Sequence, residues 1–160
     1  LVSEYDLIRD TQVVDSEKII AELKKLIEKY NNEKKKYLII ESHFSDIVPN
    51  YLIDNCIVLR CEPDLLCERL KKRGYKEKKI IENVQAEILG NCVNYLIEKN
   101  LKIPIYEIDT SNKDPRSISN IIVDLILRRK KNASKYIIGK IDWLKNVLDD
   151  DKLARKYFYS

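Results

Sequence analysis

The sequence predicts an α/β domain with a mainly parallel sheet flanked by helices. Short apolar runs alternate along the chain with longer segments whose apolar residues recur at helical spacing, a rhythm typical of parallel strands joined by crossover helices. The 160 residues are enough for one domain with a buried core, and 44% of them are hydrophobic. No apolar run reaches the roughly 20 residues that a membrane-spanning helix needs, so we expect no membrane partner.

The first predicted helix begins at Asp15 or Ser16, because either side chain can cap the apolar periodic segment that follows. It ends in the polar stretch 31–36. Two short apolar runs come next, at 37–40 and 56–60, and each is typical of a buried strand that ends at polar residues.

Pro63 starts the next predicted helix at a first-turn position, and Gly74 ends it. A longer helix is predicted from about 77 to 99. The run 103–108 predicts a third strand, and Pro104 within it places that end at a sheet edge or at the start of the strand.

Asp114 and Pro115 predict the cap and first turn of the next helix, and we place the main domain at residues 1–127. The remainder, 128–160, begins with four basic residues at 128–131 and continues as a weakly amphipathic stretch. It is predicted to be a basic helical C-terminal extension.

The composition is mildly basic, with 30 Lys and Arg against 26 Asp and Glu and a net charge of +4. An anionic ligand or RNA is therefore compatible with the charge but not required by it. Four cysteines without a C-x-x-C pair, together with a single histidine, argue against a zinc site. Reduced thiols in a cytoplasmic protein are the simpler interpretation.

Glu41 and His43 follow the apolar run 37–40, where ligands bind in open α/β sheets. Because they are two residues apart, both side chains point to the same side of a strand end. The carboxylate can hold hydrated Mg²⁺, and the imidazole can reach a phosphoryl oxygen or a water. Alternatively, Glu41 caps a neighbouring helix and His43 is a half-buried histidine.

Three arginines are candidates for binding phosphate. Arg60 ends the second strand and could point into the same crevice, while Arg69 and Arg73 lie on one face of the following helix. An arginine pair on a lysine-rich helix is also typical of a solvated face. The loop 109–114 is rich in hydrogen-bonding groups, which suits a base or a ribose and equally suits an ordinary strand-to-helix turn.

Five blocks of sequence, in their order and spacing, resemble the adenylate kinase 6 family, also called CINAP, in its archaeal form. The blocks are 40–45 (IESHFS), 58–63 (VLRCEP), 68–75 (ERLKKRGY), 82–89 (ENVQAEIL) and 108–115 (IDTSNKDP). The similarity extends over roughly 13–124, and the tail stretch 141–143 (IDW) resembles the Asp-Trp that archaeal members often carry there. It implies a P-loop NTPase-like fold of the nucleoside monophosphate kinase type, which transfers the γ-phosphoryl of ATP to AMP with Mg²⁺ and also hydrolyses ATP. It further implies a role in maturation of the small ribosomal subunit, through binding of a platform ribosomal protein.

The resemblance also implies roles for single residues. Glu41 and His43 stand where the family has a Walker-B-like Asp-x-His, so Glu41 is the Mg²⁺ residue, directly or through water, since its side chain is one methylene longer. Arg73 corresponds to the lid arginine that meets the ATP phosphates, with Arg69 as a further catalytic cation. The lid itself is short, about 72–82.

In the loop after the third strand, Lys113 resembles the residue that contacts ATP near the base, and Asn112 lies beside it in the same ATP-binding block.

The chain has only three glycines and no methionine, and it contains no G-x-x-x-x-G-K-[ST] phosphate loop. We therefore expect an N-terminally incomplete kinase that lacks its Walker A βα unit. The alternative is a non-catalytic ribosome-assembly adaptor that binds a platform protein or small-subunit rRNA. The DNA upstream of the Leu1 codon distinguishes the two, because an in-frame phosphate loop would identify the kinase.

We expect the 160-residue polypeptide to have no appreciable adenylate kinase activity, because phosphoryl transfer depends on positioning the triphosphate and the sequence holds no glycine-rich cradle for it. A coupled assay of ADP formation from ATP and AMP measures this. Turnover in the usual kinase range of about 1–100 s⁻¹ would show the expectation to be wrong.

Overall fold

The computed structural model describes residues 2–6, 11–33, 36–42, 48–127 and 133–159. Contacts between residues divide the chain into two compact units, 1–53 and 54–160. Each unit is considered by itself below.

Where the structure describes the first unit, it shows a β-hairpin and one α-helix. Strand β1 (Val2–Asp6) pairs antiparallel with strand β2 (Thr11–Val14), and helix α1 covers Ser16–Asn32. The Asp15 side chain caps α1 by accepting a hydrogen bond from the Lys18 N–H at 3.1 Å, which satisfies one of the free amides of the first turn. The helix predicted from Asp15 or Ser16 is confirmed.

The apolar run 37–40 does not form the predicted strand. Its backbone enters no strand pairing, and Tyr37 and Ile39 are 53% and 76% exposed. A strand exists only where a neighbouring segment supplies its ladder hydrogen bonds. Apolar character alone therefore did not determine the conformation of these four residues.

The second unit is built on two parallel strands. Strand β3 (Cys56–Arg60) pairs with strand β4 (Ile105–Asp109) in a register that runs from Cys56↔Ile105 to Arg60↔Asp109. Pro104 lies just before β4, and its carbonyl accepts the Cys56 N–H at 3.2 Å. The prediction that Pro104 marks a strand start is confirmed, because this position needs an acceptor but no donor.

The described residues of this unit form six helices: α2 (Pro63–Lys72), α3 (Glu77–Ile88), α4 (Asn91–Glu98), α5 (Pro115–Ile126), α6 (Trp143–Leu148) and α7 (Asp151–Phe158). As predicted, Pro63 occupies the first turn of α2 and Asp114 caps α5. Short 3₁₀ turns cover Asn50–Leu52 in the first unit and Ala133–Tyr136 in the second.

The single long helix predicted over 77–99 is wrong, because the chain forms two helices that meet at Gly90. Gly90 has a φ of +66°, a left-handed conformation that glycine adopts without the steric cost other residues incur. Its N–H bonds to the Glu87 carbonyl at 3.1 Å, which closes the last turn of α3. The apolar residues recur at the same helical spacing before and after Gly90. The break between the two helices therefore depends on the backbone conformation of this one residue.

The largest group of buried side chains joins four of the helices. Its members come from α2, α3, α6 and α7: Cys67, Leu70, Ile80, Val84, Ile88, Val147 and Tyr157. Residues 143–158, predicted to belong to an extension, thus contribute two of the most completely buried side chains of the unit. The basic run 128–131 lies outside the described residues.

Tyr157 fixes α7 to α2 through a polar contact at the rim of this apolar layer. Its hydroxyl donates to Asp64 Oδ1 at 2.5 Å, and Lys156 Nζ reaches the same oxygen at 2.7 Å. Burial raises the pKa of the Tyr157 hydroxyl, and the hydrogen bond to Asp64 raises it further. The folded state therefore holds this proton more tightly than the unfolded chain does.

The pKa of Tyr157 is higher in the folded state than in the unfolded chain, where it is about 10. The protonated hydroxyl therefore contributes its full share of stability below about pH 10, and this share is lost as the pH rises beyond that value. The free energy of unfolding should fall by up to about 1.4 kcal/mol per pH unit in that window. Tyr157→Phe should lack this component of the slope, whereas Tyr159→Phe, at a side chain that is 78% exposed, should keep it. Urea unfolding between about pH 9 and pH 11 measures the slopes, and equal slopes for the two variants would contradict the prediction.

Candidate functional site

The carboxyl ends of β3 and β4 meet at one edge of the sheet and are joined by hydrogen bonds between the loops that follow. Thr110 donates to the Arg60 carbonyl through its N–H at 2.9 Å and its hydroxyl at 2.8 Å. The Glu62 N–H donates to Ser111 Oγ at 2.8 Å. The edge where ligands bind in open α/β sheets is therefore held in one geometry by backbone and hydroxyl groups of its own loops.

Arg69 lies across this edge. Helix α2 carries its guanidinium to the two strand ends, where Nη1 donates to Cys61 Sγ at 3.3 Å and Nη2 donates to the carbonyls of Thr110 and Ser111, both at 3.2 Å. All three acceptors are uncharged, and within the described ranges Arg69 forms no ion pair. These hydrogen bonds orient the Arg69 guanidinium, and no carboxylate in the described ranges neutralises its charge.

Asn112 and Lys113 are exposed in the loop between β4 and α5. Lys113 Nζ donates to the Asp109 carbonyl at 2.8 Å. The preceding turn is fixed by Asp109 Oδ1, which accepts the Ser111 N–H at 2.9 Å and its hydroxyl at 2.5 Å. Asn112 and Lys113 therefore lie in the same loop as Ser111, whose carbonyl accepts a hydrogen bond from Arg69.

Arg73 follows α2, one helical turn beyond Arg69, and its N–H bonds to the Arg69 carbonyl at 3.2 Å. Its side chain is exposed, as are residues 74–76. Gly74, at a φ of +76°, turns the chain there before α3 begins at Glu77. The predicted lid, 72–82, comprises this exposed turn and the first half of α3.

Arg60 has a different role from the predicted phosphate ligand. It is 2% exposed, and its Nε donates to Glu87 Oε1 at 2.7 Å while Nη2 donates to the Glu87 carbonyl at 2.9 Å. Nη1 forms a second ion pair with Glu107. Strand alternation places Arg60 on the same buried face as Val58. Two carboxylates neutralise its charge, so it is not available to a phosphate.

Glu107 connects Arg60 to the C-terminal part of the chain. One carboxylate oxygen pairs with Arg60, and the other accepts the successive backbone N–H groups of Gly139, Lys140 and Ile141 at 3.0, 3.2 and 3.4 Å. Our sequence analysis did not identify this residue. The signal available in the sequence was a carboxylate in the middle of an apolar strand, because a buried charged group must be paired. In the structure Glu107 is 3% exposed.

One carboxylate oxygen of Glu87, Oε1, accepts three hydrogen bonds. In addition to Arg60, Oε1 accepts the Cys61 N–H and the Trp143 Nε1–H, both at 3.1 Å. Burial raises the pKa of Glu87, although the charge of Arg60 acts in the opposite direction. We call Arg60, Glu87, Glu107 and Trp143 the Arg60 network. Sequence analysis had noted Trp143 in the amphipathic stretch and in the Asp-Trp pair of the resemblance, and not as a partner of Glu87.

Glu41 and His43 belong to the first unit. Glu41 is exposed and lies in the segment that forms no strand, and His43 falls in 43–47, outside the described residues. In the part of the chain that the structure describes, no group of three His, Cys, Asp or Glu side chains could hold a metal ion. An exposed carboxylate such as Glu41 still suits Mg²⁺, which is commonly bound by one or two carboxylates together with substrate phosphates.

Removing the cation of the Arg60 network should be strongly destabilising. Arg60→Met leaves the buried Glu107 and the partly buried Glu87 without a neutralising cation, and we expect a loss of about 3–5 kcal/mol in the free energy of unfolding. Arg73→Met, the same change at an exposed position, should alter it by less than about 0.5 kcal/mol. Urea unfolding at neutral pH measures both, and similar values would show that the Arg60 ion pairs do not hold this part of the fold.

None of the helices in the described ranges is both long and apolar enough to cross a membrane. Residues 1–90 match a family model described as an AAA domain. Together with the parallel strand pair and its flanking helices, this match confirms an α/β, P-loop NTPase-like fold of the nucleoside monophosphate kinase type.

The chain is also similar to three archaeal proteins, each named putative adenylate kinase. The relative from Methanocaldococcus jannaschii is 41% identical over 93% of this chain and 74% of its own length. The relative from Methanococcus maripaludis is 40% identical over 91% and 72%. The relative from Methanosarcina mazei is 35% identical over 92% and 80%.

Proposed function

The chain belongs to the adenylate-kinase-like family, and we propose that it serves phosphoryl transfer from ATP to AMP. The observation that carries this proposal is the Arg69 guanidinium, which lies at the carboxyl edge of two parallel strands without an ion pair in the described ranges. A cation held by neutral acceptors is prepared to meet an anionic ligand, and a planar guanidinium matches phosphate oxygens.

Phosphoryl transfer requires mainly positioning and neutralisation of charge on the phosphates. In our proposal Arg69 and Arg73 meet the phosphoryl groups from one face of α2 and its end. Asn112 and Lys113, exposed in the β4–α5 loop, contact the base or ribose of ATP. These assignments use the cations that remain exposed or unneutralised, and they exclude Arg60.

The resemblance, and no observed contact, assigns the Mg²⁺ that accompanies ATP to Glu41 of the first unit. Glu41 would supply the carboxylate for the ion, directly or through a water molecule, and the bound ion would supply charge neutralisation across the phosphates. His43 would hold or accept a proton near the attacking oxygen. The finer assignment that we propose is to the adenylate kinase 6 type, with ATP hydrolysis as a second activity in the cytoplasm.

The test uses the extended protein, by which we mean this chain preceded by a strand–loop–helix unit with a G-x-x-x-x-G-K-[ST] loop. Arg73→Ala should lower kcat/KM by about 10²-fold, a typical effect of removing one group that meets developing charge. His43→Ala should also lower turnover. Neither should change the free energy of unfolding by more than about 0.5 kcal/mol.

Arg155→Ala is the matched control, because Arg155 is an exposed arginine on α7 and has no role in the proposal. It should leave both rate and stability unchanged. If Arg73→Ala lowered the melting temperature while turnover held, Arg73 would be a structural residue and its assignment wrong.

A second function, in small-subunit maturation, is favoured by the basic run 128–131, which is followed by Lys135 and Lys140. We propose that this segment contacts small-subunit rRNA or its complex with a platform ribosomal protein. Such a run is also typical of a solvated helix end, where cations suit the helix dipole. The two interpretations differ in their dependence on salt.

Binding to small-subunit rRNA fragments should weaken steeply with added salt, because each neutralised phosphate releases counterions. Replacing residues 128–131 by Gln should reduce the slope of log K against log salt by up to about 3–4. The control replaces four exposed lysines of α1 with Gln, which removes the same charge: Lys18, Lys24, Lys25 and Lys29. Equal slopes for the two variants would show that the basic run contacts no nucleic acid.

A further inference from the structure

Cys61 is the residue at which the Arg60 network meets the nucleotide site proposed above. Its N–H is held by Glu87 Oε1 at 3.1 Å, and its Sγ accepts from Arg69 Nη1 at 3.3 Å. One residue thus joins a partly buried carboxylate to the guanidinium on which the proposed chemistry depends. From this arrangement we propose that Glu87, oriented by Trp143, is a positioning residue of the nucleotide site and acts through Cys61 and Arg69. The proposal rests on the proposed function.

The Cys61 amide needs an acceptor outside the sheet. The β3–β4 pairing ends at Arg60↔Asp109, so the next N–H has no ladder partner. Cys61 is 8% exposed, and a buried amide without an acceptor is costly. Glu87 supplies that acceptor from α3. Without it the backbone after β3 would have to move toward water or another acceptor.

A shift of the Cys61 backbone would displace all three groups that accept hydrogen bonds from Arg69. The sulfur belongs to Cys61 itself, and the other two acceptors are the carbonyls of Thr110 and Ser111. Those residues are bonded to the end of β3 through the Arg60 carbonyl and the Glu62 N–H. The orientation of the Arg69 guanidinium is therefore set by the same backbone that Glu87 holds.

Trp143 sets the direction of the Glu87 carboxylate. Its indole N–H can only donate, and it donates to Glu87 Oε1 at 3.1 Å from the first residue of α6. The segment just before it, 139–141, is held by Glu107. A residue far along the chain thus takes part in shaping the edge that carries Arg69, and the C-terminal helices become part of the site's support.

The first experiment needs no activity and uses the 160-residue chain. Amide hydrogen exchange is measured at Cys61, Glu62 and Ser111 in Glu87→Gln and in Trp143→Phe, which keeps an aromatic ring but removes the donor. We expect exchange about tenfold faster at these amides, because their hydrogen bonds open more easily. Gln85→Leu is the control: it removes a hydrogen bond from α3 to the Tyr157 carbonyl and should leave the three amides unchanged.

The second experiment is a double-mutant cycle in the extended protein. Trp143→Phe should lower kcat/KM for ATP about tenfold when Arg69 is present and less than about twofold in the Arg69→Met background. If Trp143 acts through Arg69, its substitution has no further effect once the Arg69 guanidinium has been removed. A purely structural role would lower kcat/KM by the same factor in both backgrounds.

Unchanged exchange at the three amides in Trp143→Phe, or equal factors in the two backgrounds, would overturn the proposal. Absence of turnover in the extended protein without substitutions would count against the proposed function instead. The exchange rates would then decide whether Glu87 and Trp143 position the edge.

Discussion

A guanidinium removed from water is the constraint on which the second unit depends. Arg60 ends a strand on its buried face, where an isolated charge would be prohibitively costly. It is stable there because α3 contributes Glu87 and β4 contributes Glu107. Since each carboxylate must be satisfied in turn, Glu107 binds the backbone of 139–141 and Glu87 binds Trp143. The position of the C-terminal segment thus follows from the need to neutralise one cation.

Arg60 and Arg69 show how the surroundings divide similar side chains between structure and function. They are nine residues apart, and both lie near the carboxyl end of β3. Arg60 is enclosed by carboxylates, whereas Arg69 is held by a thiol and two carbonyls. Neutral acceptors orient a cation without cancelling its charge, which is the arrangement that a phosphate ligand requires. The distinction lies in the partners and not in the residue type.

Four helices of the second unit, α2, α3, α6 and α7, share one layer of buried side chains. Gly90 ends α3 with a left-handed residue, so that α4 can begin in a new direction beside Arg60. On the other side of α3, Val147 and Tyr157 complete an apolar layer with Val84 and Ile88. The polar contact from Tyr157 to Asp64 then fixes α7 against α2. Helices at the end of the chain are consequently part of the core formed with α2 and α3.

Local chemistry was sufficient to predict α1, α2, α5 and the two parallel strands, because caps at Asp15 and Asp114, Pro63 in a first turn and short apolar runs act within a few residues. It also identified Arg69 and the loop with Lys113 as candidates. Tertiary structure alone decided that Arg60 is an internal ion-pair partner, since Glu87 and Glu107 are 27 and 47 residues away in sequence. The same holds for the apolar run 37–40, which needs ladder partners, and for Trp143, whose role depends on a carboxylate 56 residues earlier. Patterns within a sequence report local preference, whereas burial, charge neutralisation and strand pairing are determined by residues that only the folded chain brings together.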